Sequence, residues 1–320
     1  MAILSIGFSC FDQFFFLNEW PEENTKNFCH DFIESGGGPA ANAAWLLGLW
    51  GEDVYYIGHL NRDIYGQRII DEFALAGVNT SHIVFSDEML TPLASVLVNR
   101  LTGSRTIITR KMQTPPSLTC DQKLKLDDLA ERLIEKEEPV TLLIDGHEPE
   151  ISEYLIKKLP SAKVVMDGGS LRASNIKLAA WTDYFVVSEH FARDYMGLNS
   201  LNTEDEIKTA LIELNKICRG QAYITLGKKG CAFLKNGMLQ VVPAWLCNAV
   251  DTTGAGDVFH GAFTYGVHYS WHIDNIILFA SLTAAISIEK KGVRESMPDL
   301  AVVHSSLNSY ERNLKHNFSE

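Results

Sequence analysis

One acid in this chain follows a run of small residues in a pattern that suits phosphoryl-transfer chemistry. Gly254, Ala255 and Gly256 stand directly before Asp257, and apolar residues then recur at helical spacing. The pattern predicts a tight turn that opens into a buried helix, whose first amides point outward without internal partners. Those amides and the helix dipole make an anion site that small residues leave accessible. Beside a bound anion, Asp257 makes sense as the base that takes a proton from a hydroxyl during phosphoryl transfer.

A bare Gly-Ala-Gly-Asp string also suits an ordinary turn with Asp257 as the helix N-cap. The longer string from Asp251 to Ala262, Asp-Thr-Thr-Gly-Ala-Gly-Asp-x-Phe-x-Gly-Ala, resembles the signature of the ribokinase (PfkB) family of carbohydrate kinases. The resemblance implies an ATP-dependent kinase that phosphorylates a primary hydroxyl of a sugar, either a ketose or a related carbohydrate. It also implies that Asp257 is the base and that the amides of Gly254–Gly256 stabilise charge on the transferring phosphoryl group.

Two stretches near the start of the chain carry groups that could bind sugar hydroxyls. The apolar run Ala2–Phe8 predicts a buried strand, and Asp12 follows it; three glycines then precede a small-residue helix that contains Asn42. An ordinary loop acid and a flexible hinge are the plain alternatives. The resemblance places Asp12 on sugar hydroxyls and matches Gly37, Gly38 and Asn42 to the family's Gly-Gly-x-x-x-Asn motif.

Several short runs outside the main alternation predict further strands. These runs are Phe14–Trp20, Phe28–Ile33, Val78–Phe85, Leu93–Asn99 and Arg105–Arg110. The resemblance implies a small β-sheet lid over about 13–34 and 92–112, through which a homodimer would form. The strings Gly36–Ala40 and Thr252–Gly261 look similar to those of sulfofructose-kinase-like members, which share with ketohexokinase-like members a departure from the family's Asn-x-x-Glu motif. Lys26, Arg110 and Lys111 could therefore meet an anionic substituent, or they are solvated lid charges.

The middle of the chain alternates short apolar strands with amphipathic helices, which predicts a parallel sheet covered on both faces. Asp12, Asp145, Asp167 and Ser188 are expected at the carboxyl ends of its strands, where such sheets bind ligands. The small residues of the helix predicted over Ile273–Ile288 suit either adenine or plain helix packing. The resemblance implies a nucleotide site that includes Ser188, Thr225, Gly227, Gly230, Thr252, Gly254, Ala284 and Ser287.

The metal expectations come from the same resemblance. Mg²⁺ would be held mainly by phosphates and water. Many members have Asn-x-x-Glu where this chain has Ser188-Glu-His-Phe, which leaves the magnesium arrangement open. Asp251, Thr253 and Ser296 are predicted to form a monovalent-cation site, for example for K⁺. His268 and His272 are spaced like helix-borne metal ligands, but without a third ligand they are expected on a solvated helix surface.

The charge balance of the chain and the motifs that it lacks make several classes of function less favourable. The 320 residues carry 28 basic and 40 acidic side chains, a net charge of −12, which disfavours nucleic acid and anionic membranes as partners. The chain contains no Walker A or dinucleotide fingerprint, no Cys-x-x-Cys pair and no signal-peptide pattern. We expect one cytoplasmic three-layer α/β/α ribokinase-like domain over 1–320, with a mainly parallel sheet and a polar tail that frays after Asn308. A nucleoside kinase and a non-catalytic sugar- or nucleotide-binding regulator are the alternatives.

Overall fold

The computed structural model describes the backbone of residues 1–102, 104–110 and 114–317, and side chains within these ranges as far as residue 309. The strands in chain order are β1 (Ala2–Ile6), β2 (Cys10–Leu17), β3 (Asp31–Gly37), β4 (Val54–Ile57), β5 (His59–Leu60), β6 (Val84–Phe85), β7 (Leu93–Asn99), β8 (Arg105–Thr109), β9 (Val140–Ile144), β10 (Lys163–Gly168), β11 (Tyr184–Ser188), β12 (Gln221–Thr225), β13 (Cys231–Lys235) and β14 (Met238–Val242). The helices are α1 (Pro39–Leu49), α2 (Ile64–Leu75), α3 (Cys120–Glu135), α4 (Pro149–Lys158), α5 (Ala173–Ala179), α6 (Glu189–Met196), α7 (Glu204–Ile217), α8 (Ala255–His268), α9 (Ile273–Ser287) and α10 (Leu300–Asn317).

The large sheet has the strand order β14-β13-β12-β11-β10-β9-β1-β4. The strands from β4 to β12 in this order run parallel, and β13 and β14 are antiparallel additions at one edge. This is the predicted mainly parallel sheet, and its parallel strands place their carboxyl ends along one edge.

Alternating side chains of the large sheet build two separate hydrophobic layers. Ile3 packs into the layer that contains α1, α8 and α9, whereas its neighbour Leu4 packs into the layer that contains α3 to α7. Both faces of the sheet are buried because successive strand residues point to opposite faces, and each face is covered by helices. The predicted three-layer α/β/α fold is therefore confirmed.

The second sheet has four strands in the order β3-β2-β7-β8. Its segments overlap the predicted lid ranges; residues 103 and 111–113, and with them Lys111, lie outside the described residues. Phe14, Phe16 and Val96 on one face belong to the core, while Phe32 on the other face is 47% exposed. One face of this small sheet thus packs on the main body and the other faces solvent.

Several local predictions were wrong. Asp12 lies on β2 of the second sheet and not at the end of a large-sheet strand, because β1 ends at Ile6 and the chain turns before Cys10. Only the last two residues of Val78–Phe85 form a strand. The tail expected to fray after Asn308 is helical within the described residues, since α10 extends to Asn317.

Helices α6 and α7 were missed, although a parallel step from β11 to β12 requires a crossover. Thr203 and Glu206 form a capping box at the start of α7, a signal that was readable in the sequence.

The expectation for His268 was also wrong. Its side chain is buried on α8 at 3% exposure, with Nδ1 2.9 Å from the hydroxyl of Thr141, and burial lowers its pKa to about 4. His272 is exposed at the start of α9, so the two histidines do not share one environment. No helix in the described part of the chain is long and apolar enough to cross a membrane.

Candidate active site

The turn before α8, which the sequence predicts as an anion-binding loop, is built around Gly254. Gly254 caps the helix in a left-handed conformation with φ 73°, where a Cβ would stand 2.4 Å from Val293 Cγ1. Glycine is therefore required at this position both by backbone angle and by space. Gly256 is exposed, and a Cβ there would meet open space, so a ligand can approach the backbone at this position, while the amide of Ala255 lies 3.4 Å from the carbonyl of Thr252.

Asp257 lies in the first turn of α8, half-buried beside this loop. Its Oδ2 accepts a hydrogen bond from the side-chain amide of Asn42 at 2.7 Å. Asn42 is buried one turn into α1, and its backbone amide donates to the carbonyl of Gly38. The two glycine-led helices that the sequence singled out, α1 and α8, therefore meet at a carboxylate and an amide.

The pKa of Asp257 is raised to about 7, first by burial and then by the negative charge of Asp167. Asp167 is buried at the carboxyl end of β10, and its Oδ2 lies 3.3 Å from His260 Nδ1. Nδ1 also donates to the carbonyl of Gly256 at 2.7 Å, while Nε2 lies 3.2 Å from the carbonyl of Val186. Positive charge at His260 and the bond from Asn42 lower the pKa of Asp257. A carboxyl group whose pKa is raised from the usual aspartate range towards neutral pH suits a general base.

Asp12 and Gly37 adjoin each other where β2 pairs with β3. Asp12 Oδ1 accepts from the Cys10 thiol at 3.2 Å, and a Cβ on Gly37 would lie 2.1 Å from Asp12 Oδ2. Burial raises the pKa of Asp12, which is half-buried. Gly38 caps α1 with φ 103° and fits closely against the carbonyl of Phe8, so glycine is needed for the turn from β3 into α1.

The two described cations that the sequence predicts for the lid do not bond to this group. Lys26 is exposed, with Nζ 5.5 Å from the ring centroid of Phe28. Arg110 is exposed as well, and its guanidinium lies 3.5 Å from the carbonyl of Thr91. None of the hydrogen bonds or ion pairs among the described residues connects either cation with Asp12 or Asn42.

The predicted nucleotide residues lie along the edge where β11 and β12 end. Ser188 pairs with Thr225 in register, and Gly227 follows in a left-handed conformation with φ 55° at the exposed turn. Gly230 closes that turn at φ 104°, against the carbonyl of Val242. Ser188 also caps α6, accepting from the amide of Phe191 at 2.9 Å, so its hydroxyl has a structural use.

Two other residues of the predicted nucleotide site, Ala284 and Ser287, lie on α9. Thr252 is exposed just before the glycine turn. Ser287 is buried and donates to the carbonyl of Ala284 at 2.8 Å, which is a bond within the helix. The end of α9 is attached to the segment before the anion loop, because the carbonyl of Ile288 accepts from the amides of Val250 and Asp251.

The predicted monovalent-cation residues are already engaged with protein groups. Asp251 Oδ1 accepts from the amide and the hydroxyl of Thr253, and Asp251 Oδ2 accepts from the amide of Gly292. The Ser296 hydroxyl donates to the carbonyl of Val293 at 2.9 Å. Arg105, from the edge strand β8, donates to Thr253 Oγ1 at 2.6 Å and lies 3.9 Å from Asp251 Oδ1. A guanidinium thus approaches these oxygens from the second sheet, and the K⁺ site stays a prediction.

Sequence reasoning missed three residues that contact site groups, Arg105, His260 and Arg294, and it missed Glu72, which pairs with Arg294. His260 was readable as the polar residue one turn after Gly256, whereas Arg105 and Arg294 reach the site from segments remote in sequence. No periodic signal marks them, because their placement depends on how the sheets and loops pack.

The comparisons agree with the fold and with the signature. The model of the pfkB family carbohydrate kinases matches residues 3–300. The chain belongs to the pfkB family of carbohydrate kinases. It is accordingly a phosphotransferase with an alcohol group as acceptor. A ribokinase from Lactococcus lactis is 27% identical over 299 residues, which cover 93% of this chain and 94% of that protein.

Solved structures give the same fold. A ribokinase from Giardia lamblia has a TM-score of 0.80 at 22% identity, covering 97% of this chain and 99% of that one. A ribokinase from Arabidopsis thaliana, complexed with ribose and ATP, has a TM-score of 0.77 at 21% identity over 95% of this chain and 97% of that one.

Proposed function

We propose that this protein transfers the γ-phosphoryl group of ATP to a primary hydroxyl of a sugar. The observation that carries the proposal is Asp257, which combines a pKa raised to about 7 with a place beside an accessible helix N-terminus. A carboxylate with that pKa accepts a proton from a hydroxyl at neutral pH, and the adjacent amides favour an anion. The ribokinase from Arabidopsis with bound ribose and ATP supports both substrates.

The residues around Asp257 have distinct roles in the proposal. Asp257 takes the proton of the attacking hydroxyl, and the amides of Gly254, Ala255 and Gly256 stabilise charge on the phosphoryl group. Asp12, with two acceptor oxygens, and Asn42 orient sugar hydroxyls next to the backbone of Gly37 and Gly38. The second sheet covers the site as a lid and limits ATP hydrolysis by water.

The nucleotide occupies the exposed edge formed by Ser188, Thr225, Gly227 and Gly230, with Thr252 near the phosphates and Ala284 and Ser287 near the base. Among the described residues, no group of three or more His, Cys, Asp or Glu side chains could hold a metal. In the proposal, a Mg²⁺ ion enters with ATP and is held mainly by phosphate oxygens and water. When bound, it neutralises charge on the transferring phosphate.

A neutral sugar is the better-supported acceptor. Among the described residues, Lys26 and Arg110 make no hydrogen bond or ion pair with Asp12 or Asn42, and Asp12 and Asn42 carry no positive charge that would attract a substrate anion. We therefore place ketoses and pentoses first. A thermal-shift screen should show stabilisation by a neutral sugar above that by sugar phosphates or nucleosides, since a specific ligand raises Tm by mass action. Stabilisation by nucleosides alone would favour a nucleoside kinase.

The decisive assay measures ADP release with a panel of sugars. We expect sugar-dependent turnover and a loss of about 10²- to 10⁴-fold in kcat for Asp257→Asn, the range for general-base catalysis. Asp128→Asn, which removes an exposed carboxylate on α3, is the control and should behave as wild type. ADP release that does not depend on added sugar, or an Asp257→Asn enzyme with the kcat of the wild type, would contradict the proposal. Sugar or nucleotide binding without any turnover would indicate a non-catalytic regulator.

A further inference from the structure

Arg294 is a buried cation that adjoins the site without a role in the proposed chemistry. Its side chain is 2% exposed and lies between two rings, with Cζ 4.9 Å from the centroid of Trp45 and 5.2 Å from that of Phe73. Nη1 pairs with Glu72, whose Oε2 also accepts from the amide of Gly36 at 2.8 Å. A buried guanidinium with a paired carboxylate and two flanking rings has little freedom to move.

The Nε–H group of Arg294 contacts the side-chain amide of Asn42, and that amide contacts Asp257. Nε donates to Asn42 Oδ1 at 3.3 Å, and Asn42 Nδ2 donates to Asp257 Oδ2 at 2.7 Å. If the Asn42 amide were reversed, its NH₂ group would face an Nε–H donor and its oxygen would face a carboxylate. Arg294 opposes that reversal in either protonation state of Asp257, because an arginine Nε can only donate.

The same arrangement explains the glycine at position 36. A Cβ at Gly36 would stand 2.3 Å from Arg294 Nη1, so a side chain there would displace the guanidinium. Arg294 therefore connects four segments: the loop after α9, helix α1 through Asn42, helix α2 through Glu72, and strand β3 through Gly36. Its placement is fixed on every side except at Nη2, which has no hydrogen-bond partner among the described residues.

We infer that Arg294 is a positioning residue that holds the Asn42 amide in the orientation that donates to Asp257, an inference that rests on Asp257 being the base proposed above. Asn42 in turn stabilises the carboxylate form against the charges that face it, which are those of Asp167 and Asp145, while His260 acts in the same direction as Asn42. Loss of the orientation leaves Asp257 protonated at a higher pH and the sugar hydroxyl less well aligned.

The test combines Arg294→Lys with Asn42→Ala, singly and together. Arg294→Lys keeps the charge, but a single ammonium cannot bond Glu72 and Asn42 in the same fork geometry. We expect kcat to fall on the order of 10- to 100-fold, as for a small misplacement of reacting groups, with a KM for ATP within about twofold of wild type. The acid limb of the pH–rate profile should move to higher pH.

Activity-independent titration separates this inference from the proposed function. The Asp257 carboxyl is followed by ¹³C NMR in aspartate-labelled protein, with Asp257→Asn assigning the signal. Its pKa should rise in Arg294→Lys, and the rise should vanish in the Asn42→Ala background, since coupled residues are non-additive. Arg219→Lys, which alters an arginine–carboxylate pair with Asp183 elsewhere, is the control.

A shift of the Asp257 titration that depends on Asn42 supports the inference even if no sugar is turned over, in which case only the proposed function fails. An unchanged titration in folded Arg294→Lys, or equal shifts with and without Asn42, overturns the inference while leaving sugar-dependent turnover intact. If Arg294→Lys does not fold, Glu72→Gln is the second variant. It frees the guanidinium from its anchor and should produce the same Asn42-dependent shift, whereas an unchanged titration again overturns the inference.

Discussion

At the scale of single residues, the charges around Asp257 determine its protonation. Burial and Asp167 raise the pKa of Asp257, whereas the bond from Asn42 and the charge of His260 lower it. The base that we propose acts in its deprotonated form, so the rate should fall as pH decreases through that pKa. Burial and the like charge of Asp167 thus place the acid limb near neutral pH, above the usual range for an aspartate.

Asp167→Asn and His260→Gln should move this acid limb in opposite directions. Removing the Asp167 charge lowers the pKa of Asp257, so Asp167→Asn should keep its activity to a lower pH than wild type. Removing the His260 charge should move the limb to higher pH. The measurement is kcat/KM for the sugar against pH, with Asp128→Asn as control. Shifts in the same direction would contradict the arrangement of charges described here.

At the scale of structural elements, the glycine turn before α8 and the edge strand β8 form one side of the site. Gly254 is held against Val293, and Arg105 of β8 reaches Thr253 across the turn. One substitution at Gly254 and one at Arg105 test these two contacts, each with a matched control.

Gly254→Ala should destabilise the protein and distort the anion loop. The substitution combines φ 73° with a Cβ 2.4 Å from Val293, so the cost should exceed the ~1 kcal/mol expected for the backbone angle alone. Gly197→Ala is the control, since Gly197 has φ 65° but open space around its Cβ position. Chemical denaturation should show a larger loss of unfolding free energy for Gly254→Ala than for Gly197→Ala. Equal losses of unfolding free energy would mean that the Val293 side chain moves aside at no measurable cost.

Arg105→Gln should loosen the contact between the second sheet and the loop. Exposed ion pairs contribute about 0–1 kcal/mol, so we expect an increase of up to about fivefold in KM for sugar or ATP, with little change in stability. Steady-state kinetics at varied K⁺ would measure this and would also test the predicted cation site at Asp251, Thr253 and Ser296. Arg100→Gln, on the turn between β7 and β8, is the control. Identical kinetics for both variants would argue against a functional contact.

At the scale of the whole molecule, the outward face of the second sheet is the feature that a monomer leaves exposed. Phe15, Phe32 and Ile108 share this face by register, and Phe32 and Ile108 are 47% and 61% exposed. Apolar side chains on such a face are a typical site of association. The predicted homodimer through the lid remains a proposal that this face supports.

Ile108→Glu should therefore shift the protein from dimer to monomer in sedimentation velocity at micromolar concentration, because a buried unpaired charge opposes association. Leu75→Glu, at an exposed position at the end of α2, should leave the association state unchanged. A wild-type protein that sediments as a monomer would exclude dimerisation through the lid at that concentration.

The sequence by itself determined the three-layer fold, most of the strands of the large sheet and the residues of the glycine turns, because local periodicity and turn chemistry are encoded within a few neighbouring positions. It also assigned Asp257 and Asn42 to helix starts. Only the tertiary structure showed that these two side chains share a hydrogen bond, that Asp167 and His260 shift the pKa of Asp257, and that Arg294 faces Asn42 across 252 positions of chain. Buried charges are placed by the packing of segments remote in sequence, and no local pattern records that packing.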